Sequence, residues 1–210
     1  MTKKELAQIV ITRLKKAYPD SGCSLEYEEP WKLLVSVRLA AQCTDERVNR
    51  IVPKLFEQYP SVEKLASAKI EEIEAIIRPC GLSKSKAKDI HGCMNMLLAD
   101  YRGIVPDTME DLLRLPGVGR KSANLMLGDV YHKPAIVTDT HCIRLVNRLG
   151  LVSVKEPGKV ERALWKIIPP EEGNDLCHRF VDHGRAVCTA RTKPYCAQCC
   201  LQDVCKKVGV

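Results

Sequence analysis

Residues 112–127 read LLRLPGVGRKSANLML, which is an apolar helix end, a tight Pro-Gly-x-Gly turn and a second apolar helix. This order is typical of a helix-hairpin-helix, although a Gly-x-Gly alone would indicate only an ordinary two-helix turn. Gly117 and Gly119 permit unusual backbone angles and the close approach of another molecule. The unpaired amides that begin the second helix attract a phosphate group, and Arg120 stands beside them. The stretch therefore predicts a grip on a nucleic-acid backbone that reads no bases.

Apolar residues recur at three- and four-residue intervals along nearly the whole chain, as at Leu6, Val10 and Leu14. This period predicts an all-α fold of about ten short helices joined by short loops. Residues that favour helix N-termini mark four predicted starts, namely Pro30, Thr44, Ser83 and Asp107. Alternating strand patterns are missing, and the only short extended candidate is 135–137.

The composition is that of a globular protein, with 210 residues, 45% hydrophobic and 28% charged. A chain of this length can bury an ordinary core without disulfides. Its N-terminal segment is basic, but charges interrupt the apolar residues, which excludes a signal-peptide core and a membrane span. We therefore expect a cytoplasmic monomer with no membrane partner, associated with the nucleoid if prokaryotic. The formal charge of +7 suggests a polyanionic partner.

Two polar residues stand at helix starts where they could perform chemistry. Lys121 lies in the first turn of the second hairpin helix, where the helix dipole and Arg120 disfavour a further positive charge. Its amine should therefore be more available as a nucleophile. Asp139 follows the apolar stretch 135–137 and can cap the next helix, which would hold an ionised carboxylate in a fixed position. The alternatives are a surface lysine and a simple helix cap. His141 lines the same place or supports the helix start.

Cysteines dominate the chain from residue 188 onward. The candidate metal ligands, separated by seven, two and five residues, are Cys188, Cys196, Cys199 and Cys205. A loop this poor in apolar residues cannot pack itself, so four thiolates around one centre would supply the missing cross-links. Tetrahedral zinc and an iron–sulfur cube both accept four thiolates, and the single short pair favours a [4Fe-4S] cluster. Cys200 is an extra candidate, and the loop's basic residues could face phosphates.

Together these motifs resemble the endonuclease III family of helix-hairpin-helix DNA glycosylases. The segments that carry the resemblance are LPGVGRKSAN at 115–124, VTDTHCIRL at 137–145, the cysteine run, LAAQCTD at 39–45 and GLSKSKA at 81–87. They span nearly the whole chain in the family's order. The resemblance implies a two-lobed fold. One lobe has six helices over 24–132, with the helix-hairpin-helix at 108–131. The other is the iron–sulfur cluster lobe, built from 1–23 and 133–210, with its cluster loop at 188–205.

The resemblance also implies an activity. The chain would be a base-excision repair DNA N-glycosylase that removes oxidised or damaged pyrimidines from duplex DNA. It would then nick the strand at the abasic site by β-elimination, as an AP lyase working through a lysine Schiff base. Lys121 would be the nucleophile and Asp139 its partner. The other residues that would contact DNA are Gln42, Leu82, Gly117, Gly119, Arg120, His141, Arg191 and Lys193.

Gln42 and Leu82 would fill the gap that an extruded nucleotide leaves, since the target atom is hidden inside the duplex. The polar side chain of Gln42 and the apolar side chain of Leu82 are both suited to filling such a gap. The alternatives are a buried helix glutamine and a core leucine at the end of a loop.

The chain departs from the family pattern in the first cysteine gap, which has seven intervening residues where the family usually has six. Cys200 could also replace Cys199 as ligand, although gaps of two and five match the family only with Cys199. Two rival functions are an adenine glycosylase acting on mismatches and a non-catalytic DNA-binding module with a structural metal. The first typically has serine where this chain has Lys121, and the second leaves Lys121 and Asp139 unexplained.

Overall fold

Helices account for every regular element in the computed structural model of the protein, which describes residues 1–210. The α-helices are α1 (Lys3–Ala17), α2 (Pro30–Leu39), α3 (Asp45–Gln58), α4 (Val62–Ala66), α5 (Ile70–Ile77), α6 (Ser83–Tyr101), α7 (Met109–Arg114), α8 (Arg120–Asp129), α9 (Thr140–Leu149), α10 (Pro157–Leu164) and α11 (Gly173–Ala186). Short 3₁₀ helices span Arg78–Cys80, Pro170–Glu172 and Cys196–Gln198. The predicted all-α fold is confirmed. None of the helices combines the length and apolar character needed to cross a membrane.

Local capping chemistry sets most helix starts. Pro30 is the first residue of α2, and the Thr44 hydroxyl caps α3 by accepting a hydrogen bond from the Arg47 N–H at 3.3 Å. The predicted start at Asp107 is wrong, because the next residue, Thr108, is the cap of α7. Its hydroxyl accepts from the Asp111 N–H at 3.2 Å. A side-chain oxygen at this position satisfies an amide that the helix itself leaves unpaired.

The stretch 135–137 forms no strand, so the extended candidate was wrong as a regular element. The structure contains no other strand with which it could pair, and an isolated strand has no ladder of hydrogen bonds to stabilise it. These residues are instead a buried, irregular lead into α9.

The chain forms two compact units. The first unit is built from Met1–Gly22 and His132–Val210, and the second unit is Cys23–Tyr131. The lobes predicted from the sequence, 1–23 with 133–210 and 24–132, differ from these limits by one residue at each junction. The first unit contains α1 and α9 to α11, and the second contains α2 to α8.

Each unit has its own apolar core. In the second unit α6 packs against α4 and α5, and Ile73, Ile90 and Met94 are almost completely buried there. In the first unit α11 packs against α1 and α9, and Phe180 and Leu14 are fully buried. Each such side chain contributes on the order of 1.5–3 kcal/mol to folding.

Candidate active site and cysteine pocket

The hairpin is formed by α7 and α8, and its turn depends on one glycine. Gly117 has a φ of +77°, in the left-handed region that favours glycine. A Cβ at this position would lie 2.8 Å from both Arg38 Cδ and Asp89 Cβ. Arg38 and Asp89 form an ion pair beneath the turn, with Nε donating to Oδ2 at 2.8 Å. The glycine is therefore required both by the backbone angle and by the close approach of this pair.

The start of α8 is open to an anion. Gly119 is the N-cap residue, it has no side chain to cap the helix, and a Cβ there would meet nothing within 4 Å. The first amides of a helix have no partner within it, and they carry the positive end of the helix dipole. Gly117, Gly119 and Arg120 are exposed beside these amides. The geometry suits the sequence-independent phosphate grip predicted from the motif.

Lys121 is exposed in the first turn of α8. It stands two residues after the N-cap, on a helix whose inner face is fixed by the buried Ala123, Met126 and Leu127. The backbone that carries the amine is therefore rigid, while the amine itself is accessible to a reactant.

Asp139 is the N-cap of α9. Its Oδ1 accepts a hydrogen bond from the Cys142 N–H at 2.7 Å, and its own N–H donates to the Val137 carbonyl at 3.0 Å. The carboxylate is partly exposed. It is thus held by backbone on both sides, as the sequence predicted for a capping residue. Asp139 belongs to the first unit and Lys121 to the second.

His141, one of the predicted DNA contacts, is partly buried in the first unit. Its Nδ1 lies 3.2 Å from an Arg144 Nη atom. A Cβ placed on Gly184 would approach this ring nitrogen to 2.5 Å, so the imidazole packs directly on α11. These contacts give His141 a role in joining α9 to α11.

Gln42 and Leu82 share an unusual backbone conformation. Gln42 has a φ of +56° and Leu82 a φ of +49°, and both side chains are exposed. Leu82 exposes 53% of its surface, which contradicts the alternative that it is a core leucine. Gln42 is likewise not a buried helix glutamine. A left-handed angle costs about 1–2 kcal/mol for a residue with a side chain, so the surrounding structure must hold Gln42 and Leu82 in place. We call these two exposed residues the two tips.

The four candidate ligands line one pocket in the first unit, together with Arg148 and residues of the C-terminal segment. The pocket contains about 330 Å³ of unfilled space, part of it open to solvent. The cysteines that line it are Cys188, Cys196, Cys199 and Cys205. Cys200 is not among the lining residues. Its carbonyl oxygen instead accepts a hydrogen bond from Arg13 at 3.0 Å.

Donor groups point at the pocket sulfurs. The Leu201 N–H donates to Cys199 Sγ and the Lys207 N–H to Cys205 Sγ, each at 3.4 Å. An Arg148 Nη donates to Cys188 Sγ at 3.2 Å. Such bonds stabilise thiolates and tune the iron to which a thiolate is bound.

Burial raises the pKa of the Cys199 thiol to about 11, and the neighbouring sulfurs add to this effect. A bound cation reverses it, because a metal-bound thiol is deprotonated outright. The pocket thus favours a charged Cys199 sulfur only when positive charge is bound beside it.

Four cysteine side chains are the donors that either tetrahedral zinc or an iron–sulfur cube accepts. No three histidine, cysteine, aspartate or glutamate side chains lie close enough together to hold a single metal ion. Four thiolates on one zinc would stand about 3.8 Å apart, given a Zn–S bond of about 2.3 Å. An iron–sulfur cube carries each thiolate on a separate iron. The donor set suits either centre.

Arg191 and Lys193 are exposed on the loop between the first two pocket cysteines. The Thr189 hydroxyl donates to the Thr192 carbonyl at 3.1 Å, and the Tyr195 N–H donates to the Val187 carbonyl at 3.0 Å. These bonds fix the loop backbone, so both basic side chains project from an ordered segment.

Sequence reasoning missed two groups of residues. Arg144 and Arg148 donate to the carbonyl of Cys188, each at 3.2 Å, and so anchor the start of the cysteine loop to α9. Their spacing of four residues on one helix face was the available signal. The other missed residue is Lys86, which is completely buried and donates to the carbonyls of Leu39 and Cys80. No local pattern distinguishes it from the exposed lysines nearby.

Comparison with known proteins adds an independent finding. Residues 35–170 match the family model described as HhH-GPD superfamily base excision DNA repair protein. The chain is 45% identical over 205 residues to the endonuclease III of Synechocystis sp., which covers 97% of this chain and 93% of that protein. It is 36% identical over 201 residues to the endonuclease III of Bacillus subtilis, covering 95% and 91% respectively.

Solved structures give the same result. A trapped endonuclease III–DNA covalent intermediate is similar with a TM-score of 0.93 and 38% identity, covering 99% of this chain and 97% of that chain. A thermostable thymine-DNA glycosylase shares the fold, with a TM-score of 0.83 at 23% identity.

Proposed function

The chain belongs to the endonuclease III family of HhH-GPD base excision DNA repair proteins, and we propose that it excises damaged pyrimidines from duplex DNA and then nicks the strand. It is a bifunctional DNA glycosylase and AP lyase. Lys121 is assigned as the nucleophile because of its position. It is exposed in the first turn of α8, the helix that follows the phosphate-binding turn.

The chemistry follows from an amine nucleophile. The Lys121 amine attacks the anomeric carbon of the damaged nucleotide, and the bond between sugar and base breaks as the base leaves. Positive charge that develops on the sugar is stabilised by the Asp139 carboxylate. The C1′–O4′ bond of the sugar then breaks, and O4′ takes up the proton that the amine loses. The resulting Schiff base at C1′ acidifies the adjacent C2′–H. Loss of that proton expels the 3′ phosphate by β-elimination, so one lysine accounts for both activities.

Binding and base extrusion are assigned to other residues of the second unit. The open amides of α8, with Gly117, Gly119 and Arg120, hold a backbone phosphate without reading sequence. Gln42 and Leu82 enter the gap left by the extruded nucleotide, as the family motifs imply. Their exposure and fixed left-handed angles support this assignment.

The cysteine pocket is proposed to hold a [4Fe-4S] cluster. Its ligands are Cys188, Cys196, Cys199 and Cys205, and the pocket lining supports Cys199 over Cys200 as the third ligand. When bound, the cluster supplies cross-links to a loop that has little apolar packing of its own. Arg191 and Lys193 on this loop, and His141 on α9, are proposed to contact DNA.

Borohydride trapping tests the nucleophile. The protein is incubated with duplex DNA that contains an abasic site, borohydride is added, and the covalent protein–DNA adduct is measured. We expect an adduct with the unaltered protein and none with Lys121→Ala, because only a Schiff base is reduced to a stable bond. Lys16→Ala, which removes an exposed amine from α1, is the control and should form adduct normally. Active protein that gives no adduct would exclude the Schiff-base mechanism, and release of adenine without nicking would favour a mismatch glycosylase.

Asp139→Asn tests the carboxylate separately from the helix cap. Asparagine caps a helix as well as aspartate does, so its side-chain oxygen can still accept from the Cys142 N–H and stability should be retained. Base release from a duplex with an oxidised pyrimidine should fall about 100-fold. Losses of this size are found when one group that stabilises charge in the transition state is removed. Trapping on a preformed abasic site should change less, because the base has already left. Unchanged base release would show that Asp139 is only a cap.

A further inference from the structure

Lys86 stands out among the charged residues because its side chain is completely buried. It projects from α6, and its ammonium donates to the Leu39 carbonyl at 2.7 Å and to the Cys80 carbonyl at 2.9 Å. Leu39 is the last residue of α2, and Cys80 ends the 3₁₀ helix Arg78–Cys80. One cation thus joins two backbone segments that are distant along the chain.

The ammonium of Lys86 is held by neutral groups alone. Both of its hydrogen-bond acceptors are neutral carbonyls, and no carboxylate lies in an ion pair with it. Burial lowers the pKa of Lys86, and the charge of Arg38 lowers it further, against opposing effects of Cys43 and Cys80. The carbonyls of Leu39 and Cys80 stand at helix ends, where they have no partner within their own helices, and Lys86 satisfies both. Lys86 therefore stabilises the two helix ends and also joins them to one atom.

The two carbonyls that Lys86 binds lie shortly before Gln42 and Leu82 along the chain. Leu39 precedes Gln42 by three residues, and Cys80 precedes Leu82 by two. Gln42 and Leu82 are exposed and have left-handed angles, so neither is held by its own packing. The backbone just before each tip is instead fixed to the same buried nitrogen.

We propose that Lys86 is a positioning residue that sets the separation of Gln42 and Leu82, so that both side chains enter the DNA duplex together. This inference rests on the proposed function, in which these two residues fill the gap beside an extruded nucleotide. Lys86 itself touches neither DNA nor the reacting sugar. Without its ammonium, each tip would move independently, and insertion of both at one site would become rarer.

The test compares a substrate that needs insertion with one that does not. Lys86→Met keeps an unbranched side chain that is one atom shorter and removes its donors. Base release is measured on a duplex with an oxidised pyrimidine, and borohydride trapping is measured on a single-stranded oligonucleotide with an abasic site. We expect duplex base release to fall about tenfold or more, as for an interaction with buried polar groups, and single-strand trapping to stay within about twofold.

Lys54→Met is the matched control, because it makes the same substitution at an exposed position of α3, and both activities should be unchanged. Equal losses on the two substrates would show that Lys86 only supports the fold, and an undiminished duplex activity would also overturn the proposal. Should Lys86→Met fail to fold, Lys86→Arg is assayed in the same way, since it keeps the charge but displaces the donors. Failure of the unaltered protein to release the oxidised pyrimidine from the duplex would instead refute the proposed function.

Discussion

The hairpin turn and the cysteine loop are both irregular segments that end at exposed basic residues, but they are held by different means. The turn rests on protein packing, with Gly117 lying against the Arg38–Asp89 ion pair and Leu115 buried beside it. The loop over 188–205 buries one apolar side chain, Leu201, and otherwise depends on polar contacts from α1, α9 and α11. The turn is thus stabilised by protein contacts alone, and the sparse apolar packing of the loop supports the proposal that a bound cluster stabilises it.

The largest effect is expected from the pocket ligands. Cys199→Ser should remove most of the bound iron and the visible absorption, and the loop should lose its fixed structure, because a structural metal centre contributes on the order of 10 kcal/mol. Iron content per chain, visible spectra and limited proteolysis of the loop measure this. Cys200→Ser is the matched control and should keep its full iron content, since that cysteine does not line the pocket.

Two outcomes would contradict this prediction. Iron loss in Cys200→Ser with retention in Cys199→Ser would reverse the choice of ligand. Colourless unaltered protein with one zinc per chain would replace the proposed cluster with a single ion.

A smaller effect is expected at the turn. Gly117→Ala should lower the free energy of unfolding by about 2–3 kcal/mol, because alanine disfavours the left-handed angle and its methyl group collides with the ion pair. Urea unfolding measures the loss, and salt-dependent binding to undamaged duplex should weaken in parallel. Iron content should not change, which would show that the turn and the cysteine loop are stabilised independently.

Gly22→Ala is the control for the turn, since a Cβ at Gly22 meets nothing within 4 Å and its backbone is not left-handed. Its unfolding free energy should change by less than about 0.5 kcal/mol. If Gly117→Ala were equally mild, the turn would not depend on the contact with Arg38 and Asp89.

Local signals predict the parts of this molecule that are determined locally. The starts of α2 and α3 follow from Pro30 and Thr44, because a helix cap needs only the next few residues. The hairpin could be recognised for the same reason, since both helices and the turn lie within one short stretch. The start of α7 was misplaced because Asp107 and Thr108 are adjacent residues that can both cap a helix.

Features that depend on distant contacts could not be predicted in this way. The Leu39 carbonyl that binds Lys86 lies 47 residues away along the chain, so nothing near Lys86 indicates its burial. The choice between Cys199 and Cys200 depends on which side chain turns toward the pocket. Because the two residues are adjacent, their spacings to the other cysteines differ by only one position, and the sequence does not distinguish them. The left-handed angles of Gln42 and Leu82 were missed because neither residue type favours them.

The helices α1 and α11 pack against each other but are synthesised at different times during translation. The second unit is one continuous segment, so all of its helices emerge from the ribosome before α9 and α11. At about 5–20 residues per second, α1 waits roughly ten to thirty seconds for α11. During that time its apolar face, with Leu6, Val10 and Leu14, has no partner from its own unit. The nascent chain therefore exposes the apolar face of α1 until α11 has been synthesised.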